Sequence, residues 1–446
     1  MKQDAAAAAA LSLAPGFSRV STTHAGQTVL TVCSRPVAQT SKSAVSRVFQ
    51  PACHAKSLRG RLPDARPIWK SAIQQVWKPA LRIAVLAASL FTCATLSSSA
   101  PALQTRHVLL VMADGVRWQE VFTGAEEQLI SKEHGGVTKT NDLRKAFWRD
   151  TVEARREALM PFFWGTLAKQ GQLYGNQHKG SIAHVTNGKN FSYPGYSEIL
   201  CGFSDPRIDS NAKKPNANVT VLEWLNQKPA YAGRVAAFGN WDVIPYIINR
   251  ERSHVPVWTG FEKTDPKLNA HWAMLEKLIA DHTPTWGTMM TYDTFIHAAA
   301  LEHLKTKKPR LMYVGYGEPD EWAHEGRYDN YLHAIRHFDR FVSDLWAAAQ
   351  TDPEMRGHTS ILLVTDHGRG TSNASWKSHG ANIADSRFIW MGVLGPDTPA
   401  LGERANVPTV TQNQVAPTAA ALLGLDYKAE QPQAGPVLVD ALPKVK

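Results

Sequence analysis

An acid and a histidine recur just past the ends of apolar runs in this chain. Residues 316–326 read Tyr-Gly-Glu-Pro-Asp-Glu-Trp-Ala-His-Glu-Gly, and residues 364–370 read Val-Thr-Asp-His-Gly-Arg-Gly. The runs before them, 311–314 and 361–364, have the length and composition of buried strands. Open α/β sheets build their sites beyond the carboxyl ends of strands. Carboxylate oxygen and imidazole nitrogen together suit zinc and its neighbours. Asp320 and His324 are four apart, so one turn of helix points both the same way. Asp366 and His367 are adjacent, which suits a turn rather than one face of a helix.

A third acid extends the pattern. Residues 106–114 read Arg-His-Val-Leu-Leu-Val-Met-Ala-Asp, again an apolar run ending in an aspartate, followed by Gly115. His379 sits in Trp-Lys-Ser-His-Gly, within a loop rich in Ser, Asn and Gly. Between the first run and the other two lies Asn-Phe-Ser-Tyr-Pro-Gly-Tyr-Ser-Glu-Ile-Leu-Cys-Gly, residues 190–202. Ser192, beside a Pro-Gly turn that leads into a helix, is a candidate nucleophile. A serine hydroxyl is weak at its free pKa and needs activation, for instance by a metal ion. Ser197 and Tyr193 are rival hydroxyls. Taken singly, each residue reads as a cap or a loop residue; the ordered set is what points to a site.

That order resembles the alkaline phosphatase superfamily, most closely its type I phosphodiesterase and nucleotide pyrophosphatase branch, over roughly residues 105–430. The resemblance rests on Val-Met-Ala-Asp-Gly, Phe-Ser-Tyr-Pro-Gly, Glu-Pro-Asp-Glu-Trp-Ala-His-Glu-Gly and Thr-Asp-His-Gly. The segment 415–424 is also similar to the closing helix of sulfatases and phosphodiesterases. The resemblance implies two divalent ions, zinc by preference, and a covalent phosphoryl-serine. It assigns Asp320, His324 and His379 to one ion, and Asp114, Asp366, His367 and the Ser192 oxygen to the other. Two such ions can stabilise the attacking and leaving oxygens of an in-line displacement.

The departures from the family pattern are informative. Type I phosphodiesterases usually carry Thr-Phe-Pro-Asn where this chain has Ser192-Tyr-Pro-Gly195; serine keeps the hydroxyl. Sulfatases place an Arg four residues after the nucleophile, where this chain has Tyr196. The spacing from Asp366 and His367 to His379 is short for the phosphodiesterase branch. Phosphodiesterases often use an Asn about twenty residues past the nucleophile to hold a phosphoryl oxygen. Asn211 is the candidate, with Asn216 near the same distance and Lys213 and Lys214 beside them. Lys189, Arg369 and Lys377 are further possible anion contacts.

The formal charge of +10 is misleading. Residues 1–82 hold 12 Lys and Arg against Asp4 and Asp64, which is the whole excess, and the remaining 37 basic and 37 acidic residues balance. A nearly neutral body has no nucleic-acid footprint. The basic extension lacks sustained apolar periodicity and reads as disordered. Residues 83–96 form a short apolar core after Lys78 and Arg82, followed by Ser-Ser-Ser-Ala-Pro-Ala. This describes a secretory signal cleaved near Ala102, with a core too short for a membrane span. The expected product is secreted or periplasmic. Cys33, Cys53 and Cys93 precede the cleavage point, leaving Cys201 alone, a small packed residue rather than a nucleophile.

Residues 103–446 then form one catalytic domain. Strands are predicted near 107–112, 234–238, 311–315, 361–365 and 388–394, alternating with helices. The clearest helix, 328–349, carries a stripe of Tyr328, Tyr331, Leu332, Ile335, Phe338, Val342, Leu345 and Trp346. This alternation implies a three-layer α/β/α fold with a mainly parallel sheet. The segment 203–300 reads as a cap or insertion shaping the pocket. The leading function is hydrolysis of a small phosphate ester, diester before monoester. The alternatives are a sulfatase or phosphonate-ester hydrolase on the same fold, and an exported metal-binding protein that recognises phosphorylated ligands without turnover.

Overall fold

The computed structural model describes residues 102–263 and 270–443. The basic extension and the signal segment expected before Ala102 lie outside the described residues. Among the described residues ten strands form: β1 His107–Ala113, β2 Gln172–Tyr174, β3 Ala183–His184, β4 Val235–Gly239, β5 Val257–Trp258, β6 Leu311–Tyr316, β7 Thr359–Thr365, β8 Met391–Leu394, β9 Gly402–Glu403 and β10 Val410–Thr411. Eight make one sheet in the order β5-β4-β6-β1-β7-β8-β2-β9, and β10 pairs with β3. The pairs from β5 through β7 are parallel. β8 runs antiparallel to both β7 and β2. The α/β fold with a mainly parallel sheet is therefore as expected, with β8 the departure.

β1 is buried along its whole length. Its side chains alternate between two cores, as the period of two in a strand requires. Leu109, Val111 and Ala113 join Met312, Val314, Ile361 and Leu363 on one face, against the helices Asp293–Lys307 and Tyr328–Thr351. Val108, Leu110 and Met112 join Tyr313, Leu362 and Val364 on the other, against Ser192–Cys201, Val221–Asn226 and Val415–Leu422. A sheet covered on both faces explains why its strands read as continuous apolar runs. The stripe predicted on Tyr328–Thr351 is buried, and Trp346 packs at its edge.

The register fixes the site. Ala113, the last residue of β1, is level with Tyr316 at the end of β6 and with Thr365 at the end of β7. Three central strands thus end side by side, and the chain after each turns over the same edge. The segment 203–300 is not set outside the fold. It contributes β4 and β5 to the sheet and the Val221–Asn226 helix to one core, besides residues at the pocket rim. Among the described residues, no helix is long and apolar enough to cross a membrane.

Candidate active site

The three strand ends bring Asp114, Asp320, Asp366 and His367 together, although they are separated by up to 253 positions in the chain. His367 Nε2 lies 3.3 Å from Asp114 Oδ1 and 3.3 Å from Asp366 Oδ2. All three atoms are buried and lack a hydrogen-bond partner. Leaving such groups unpaired in the interior is costly, so the trio is built to meet something else. Its other polar atoms are already engaged. Asp114 Oδ2 accepts from the Tyr196 hydroxyl at 2.7 Å, and Asp366 Oδ1 accepts from the Gly115 N–H at 3.0 Å. His367 Nδ1 is 3.0 Å from the Gly368 carbonyl. That contact places the proton on Nδ1 and leaves the Nε2 lone pair facing the carboxylates. Two carboxylate oxygens and one imidazole nitrogen, converging and otherwise unpaired, fit a divalent cation such as zinc.

A second group lies beside the first. Asp320, His367 and His379 each offer a ligand atom within 4.8 Å of the others. His324 Nε2 is 2.9 Å from Asp320 Oδ2 and 2.9 Å from His379 Nε2. The trio implied by the family resemblance is therefore brought together, with His367 shared between the two groups. His379 is held by its Nδ1, 3.1 Å from the Asn190 carbonyl, and its ring stacks on His367 with centroids 3.8 Å apart. A tight loop spans the short stretch from Asp366 to His379. Gly370 N–H donates to the Ser378 carbonyl. Trp376 is fully buried, donates to the His134 carbonyl, and packs edge-on against Tyr328.

The electrostatics fit the same conclusion. Burial, and then the charge of Asp320, pushes the Asp114 carboxyl up to about 7. Burial and the charge of Asp114 push Asp366 well above the usual carboxylate range. Burial lowers His367 to about 4, and burial with the neighbouring His367 lowers His379 to about 3. Burial is the largest influence on Asp320 and opposes its ionisation, but the Arg369 guanidinium, His379 and His324 together outweigh it and hold that carboxyl well below its usual value. Crowded carboxylates that resist ionisation, beside neutral imidazoles, are what a divalent cation would reverse.

Ser192 is the first residue of the helix Ser192–Cys201 and lines a cleft of about 360 Å³ with Asp114, Asp320, His324, His379 and Asn211. Asn211 Oδ1 accepts from the Tyr193 N–H at 3.0 Å. That bond fixes Asn211 next to the serine and leaves its amino group to donate. The rival hydroxyls turn away. Ser197 Oγ accepts from Asn216 and contacts Cys201 Sγ. The Tyr193 hydroxyl donates to the Lys214 and Tyr246 carbonyls. Asn216 is fully buried in that packing. Cys201 is fully buried, and burial pushes its thiol up to about 12, so it is inert.

Several contributors carry no sequence signal of their own. Arg369, considered as an anion contact, is instead buried. It pairs with Asp320 through Nη2 and donates from Nε to the Gly115 carbonyl at 3.1 Å. Gly115 has φ +60, and a Cβ there would meet Asp320 Oδ1 at 2.3 Å, so only glycine serves. Tyr196 stands where sulfatases have an Arg and donates to Asp114 instead. Asp293 starts one helix yet caps another. Its two oxygens accept from the N–H groups of Gly317 and Glu318, which open the helix carrying Asp320 and His324. Glu318 returns the bond to the Asp293 N–H. Trp241, Asp242, Met289 and Met290 also line the cleft.

A curated relative, the 2,3-bisphosphoglycerate-independent phosphoglycerate mutase of Gracilaria tenuistipitata var. liui, is 24% identical over 142 residues, which is 31% of this chain and 26% of that protein. The chain thus spans about a quarter of the length of that relative. Among solved structures, the alkaline phosphatase PafA is similar at 11% identity and a TM-score of 0.48, over 77% of this chain and 99% of that one. The lipoteichoic acid synthase LtaP from Listeria monocytogenes is similar at 12% identity and a TM-score of 0.47, over 74% of each chain. Residues 130–386, more than half of the chain, match a single family and include Ser192, Asp320, His324, Asp366, His367 and His379. The chain belongs to the type I phosphodiesterase / nucleotide pyrophosphatase family, within the alkaline phosphatase superfamily that its motifs resemble.

Proposed function

We propose that this hydrolase of the alkaline phosphatase superfamily cleaves small phosphoric esters, diesters before monoesters, through a covalent phosphoryl-serine. The observation that carries the reading is the buried trio Asp114 Oδ1, Asp366 Oδ2 and His367 Nε2, unpaired and converging, with Asp114 lining the same cleft as Ser192. Asp114, Asp366, His367 and Ser192 would hold one zinc ion, and Asp320, His324 and His379 the other. When bound, the ions supply charge stabilisation of the attacking and leaving oxygens.

The chain's own residues perform the rest. Ser192 Oγ attacks phosphorus as its proton passes to solvent, the bond to the leaving oxygen breaks and that oxygen takes up a proton, and the phosphoryl group rests on the serine. Water then attacks phosphorus, losing a proton to solvent, and the P–O bond to Ser192 breaks, so that the serine oxygen regains a proton and the phosphate product is released. Asn211 donates from its amino group to a non-bridging oxygen through both steps. Tyr196 and Gly115 hold the two aspartates in the orientation the site needs. The polypeptide expected to work is the exported form that begins near Leu103.

The test is a panel of p-nitrophenyl phosphate, bis-p-nitrophenyl phosphate and p-nitrophenyl sulfate, run with elemental analysis. The expected result is about two ions per chain and diester turnover that is lost in Ser192→Ala. A folded, metal-loaded protein that turns over none of the three would leave the non-catalytic binding reading. Turnover of the sulfate alone would favour the sulfatase reading. N-terminal sequencing of protein from the cell envelope or medium checks the cleavage near Ala102.

A further inference from the structure

Lys213 is the only Lys or Arg among the described residues lining the Ser192 cleft. Its Nζ lies 2.5 Å from Asp242 Oδ2. The two partners differ in freedom. The Asp242 side chain is 17% exposed, and its backbone N–H donates to the Met289 carbonyl at 2.9 Å. The Lys213 side chain is 51% exposed, on a long flexible stem. An ion pair this open to water is weak, so the lysine can leave it at little cost.

Nearby cations have other duties. Arg369 is held by Asp320 and the Gly115 carbonyl. Arg250 pairs with Glu262 at 3.1 Å in a second cleft of about 500 Å³, and Asp242 forms part of that wall as well. Asp242 thus stands between the two cavities, with Lys213 drawn against it on the Ser192 side. The neighbouring wall of the Ser192 cleft is apolar, made by Trp241, Val243, Met289 and Met290.

A phosphate monoester and a diester present different chemistry to that wall. Near neutral pH a monoester approaches two negative charges and has one more terminal oxygen. A diester has one charge and a second organic arm. With Lys213 on Asp242, the wall is a neutral pair beside apolar side chains, which suits an organic arm. With Lys213 released, the wall offers a cation to the extra oxygen. We propose that Lys213 and Asp242 set the ester preference of the site: Lys213 moves from Asp242 to a dianionic phosphoryl group, and Asp242 opposes the move by retaining it. The inference rests on the proposed phosphoric ester hydrolysis and names the pair that selects among its substrates.

The experiment measures kcat/KM for p-nitrophenyl phosphate and bis-p-nitrophenyl phosphate on the metal-loaded enzyme and on Lys213→Ala, Lys213→Arg and Asp242→Asn. Calorimetric binding of inorganic phosphate to the same proteins runs alongside. Lys213→Ala should lower the monoester-to-diester ratio by about tenfold, the size of a lost charge-assisted contact. Lys213→Arg should restore most of it, and Asp242→Asn should raise it severalfold. Phosphate affinity should move in the same directions. A ratio unchanged in both Lys213→Ala and Asp242→Asn, or moved the same way by both, overturns the inference while ester hydrolysis stands. If the wild-type protein cleaves neither ester, the proposed function falls first. Phosphate affinity then decides the pair's role, and equal affinities across the variants reject it.

Discussion

Gly195→Ala isolates the seating of the nucleophile helix from the chemistry. Gly195 lies one turn past Ser192, and a Cβ there would sit 2.5 Å from the Asp366 carbonyl oxygen and 3.1 Å from its carbon. The carbonyl has little freedom to yield, because Gln412 Nε2 donates to it at 2.7 Å and to the Thr365 carbonyl at 3.0 Å. The helix must therefore move by about 0.5 to 1 Å to reach ordinary contact. Two effects on stability compete. Alanine in a helix interior is favoured over glycine by about 1 kcal/mol. Overpacking against a fixed backbone costs about 1 to 3 kcal/mol.

The clash is against main chain rather than a flexible side chain, so overpacking prevails and the variant loses about 0 to 2 kcal/mol. Activity should suffer more than stability. A displacement approaching 1 Å at a reacting group can cost about 100-fold, so kcat/KM should fall by about 10- to 100-fold. Urea unfolding and ester hydrolysis, measured on the same preparations, provide both numbers. A variant that is more stable than wild type and turns over normally would refute the idea that the helix is seated on Asp366.

Ser192→Ala should keep the fold and most metal binding while kcat falls by about 1,000-fold or more; near-normal turnover would remove Ser192 as nucleophile. Tyr196→Phe deletes the hydroxyl that donates to Asp114 Oδ2. It should weaken zinc binding by about 10- to 100-fold with the fold intact, and an unchanged affinity by competitive titration would reject that support role. Two buried histidines give a contribution to the stability of the metal-free protein that falls in acid. Burial lowers His297 to about 3 and His303 to about 4, against 6.5 when exposed. The unfolded chain therefore takes up these protons first. The stability from the neutral rings is complete above pH 6.5 and is lost as pH falls toward 4 and then 3, by up to about 1.4 kcal/mol per ring and pH unit. Urea unfolding between pH 7 and 4.5, with chelator present, should show a shallower slope for His297→Gln; an equal slope would contradict the assignment.

The parts of the fold legible in the sequence are those whose signal is local. β1, β6 and β7 are runs of six or seven residues, each followed within four residues by its acid, and burial on both faces makes them mostly apolar. The Tyr328–Thr351 helix repeats its stripe over 24 residues. β5 and β9 have two residues each and β2 has three, too few for a period to show. The antiparallel course of β8 follows from a connection, not from composition. Arg369 and Asp293 were hidden for a different reason. A lone Arg after Asp-His-Gly and an acid at a helix start have ordinary local readings. Their partners, Asp320 in one case and the N–H groups of Gly317 and Glu318 in the other, arrive only through tertiary contact.

The segment from Ser192 to Tyr196 shows how a short motif can be specified from outside itself. Ser192 faces the cleft, and Tyr193 turns its hydroxyl to the Lys214 carbonyl while its N–H fixes Asn211. Gly195 is small because the Asp366 carbonyl occupies the place of its Cβ. Tyr196 reaches the other strand end and donates to Asp114. One helical turn is thereby docked on the ends of β1 and β7 together, and the serine is placed relative to both aspartates at once. The tyrosine matters because of what it is not. It is a neutral donor that leaves Asp114 Oδ1 free. A guanidinium at the same place would bring a permanent positive charge against the carboxylate and compete for it with any divalent ion. Tyr196 thus satisfies half of Asp114 and leaves the other half available to a metal.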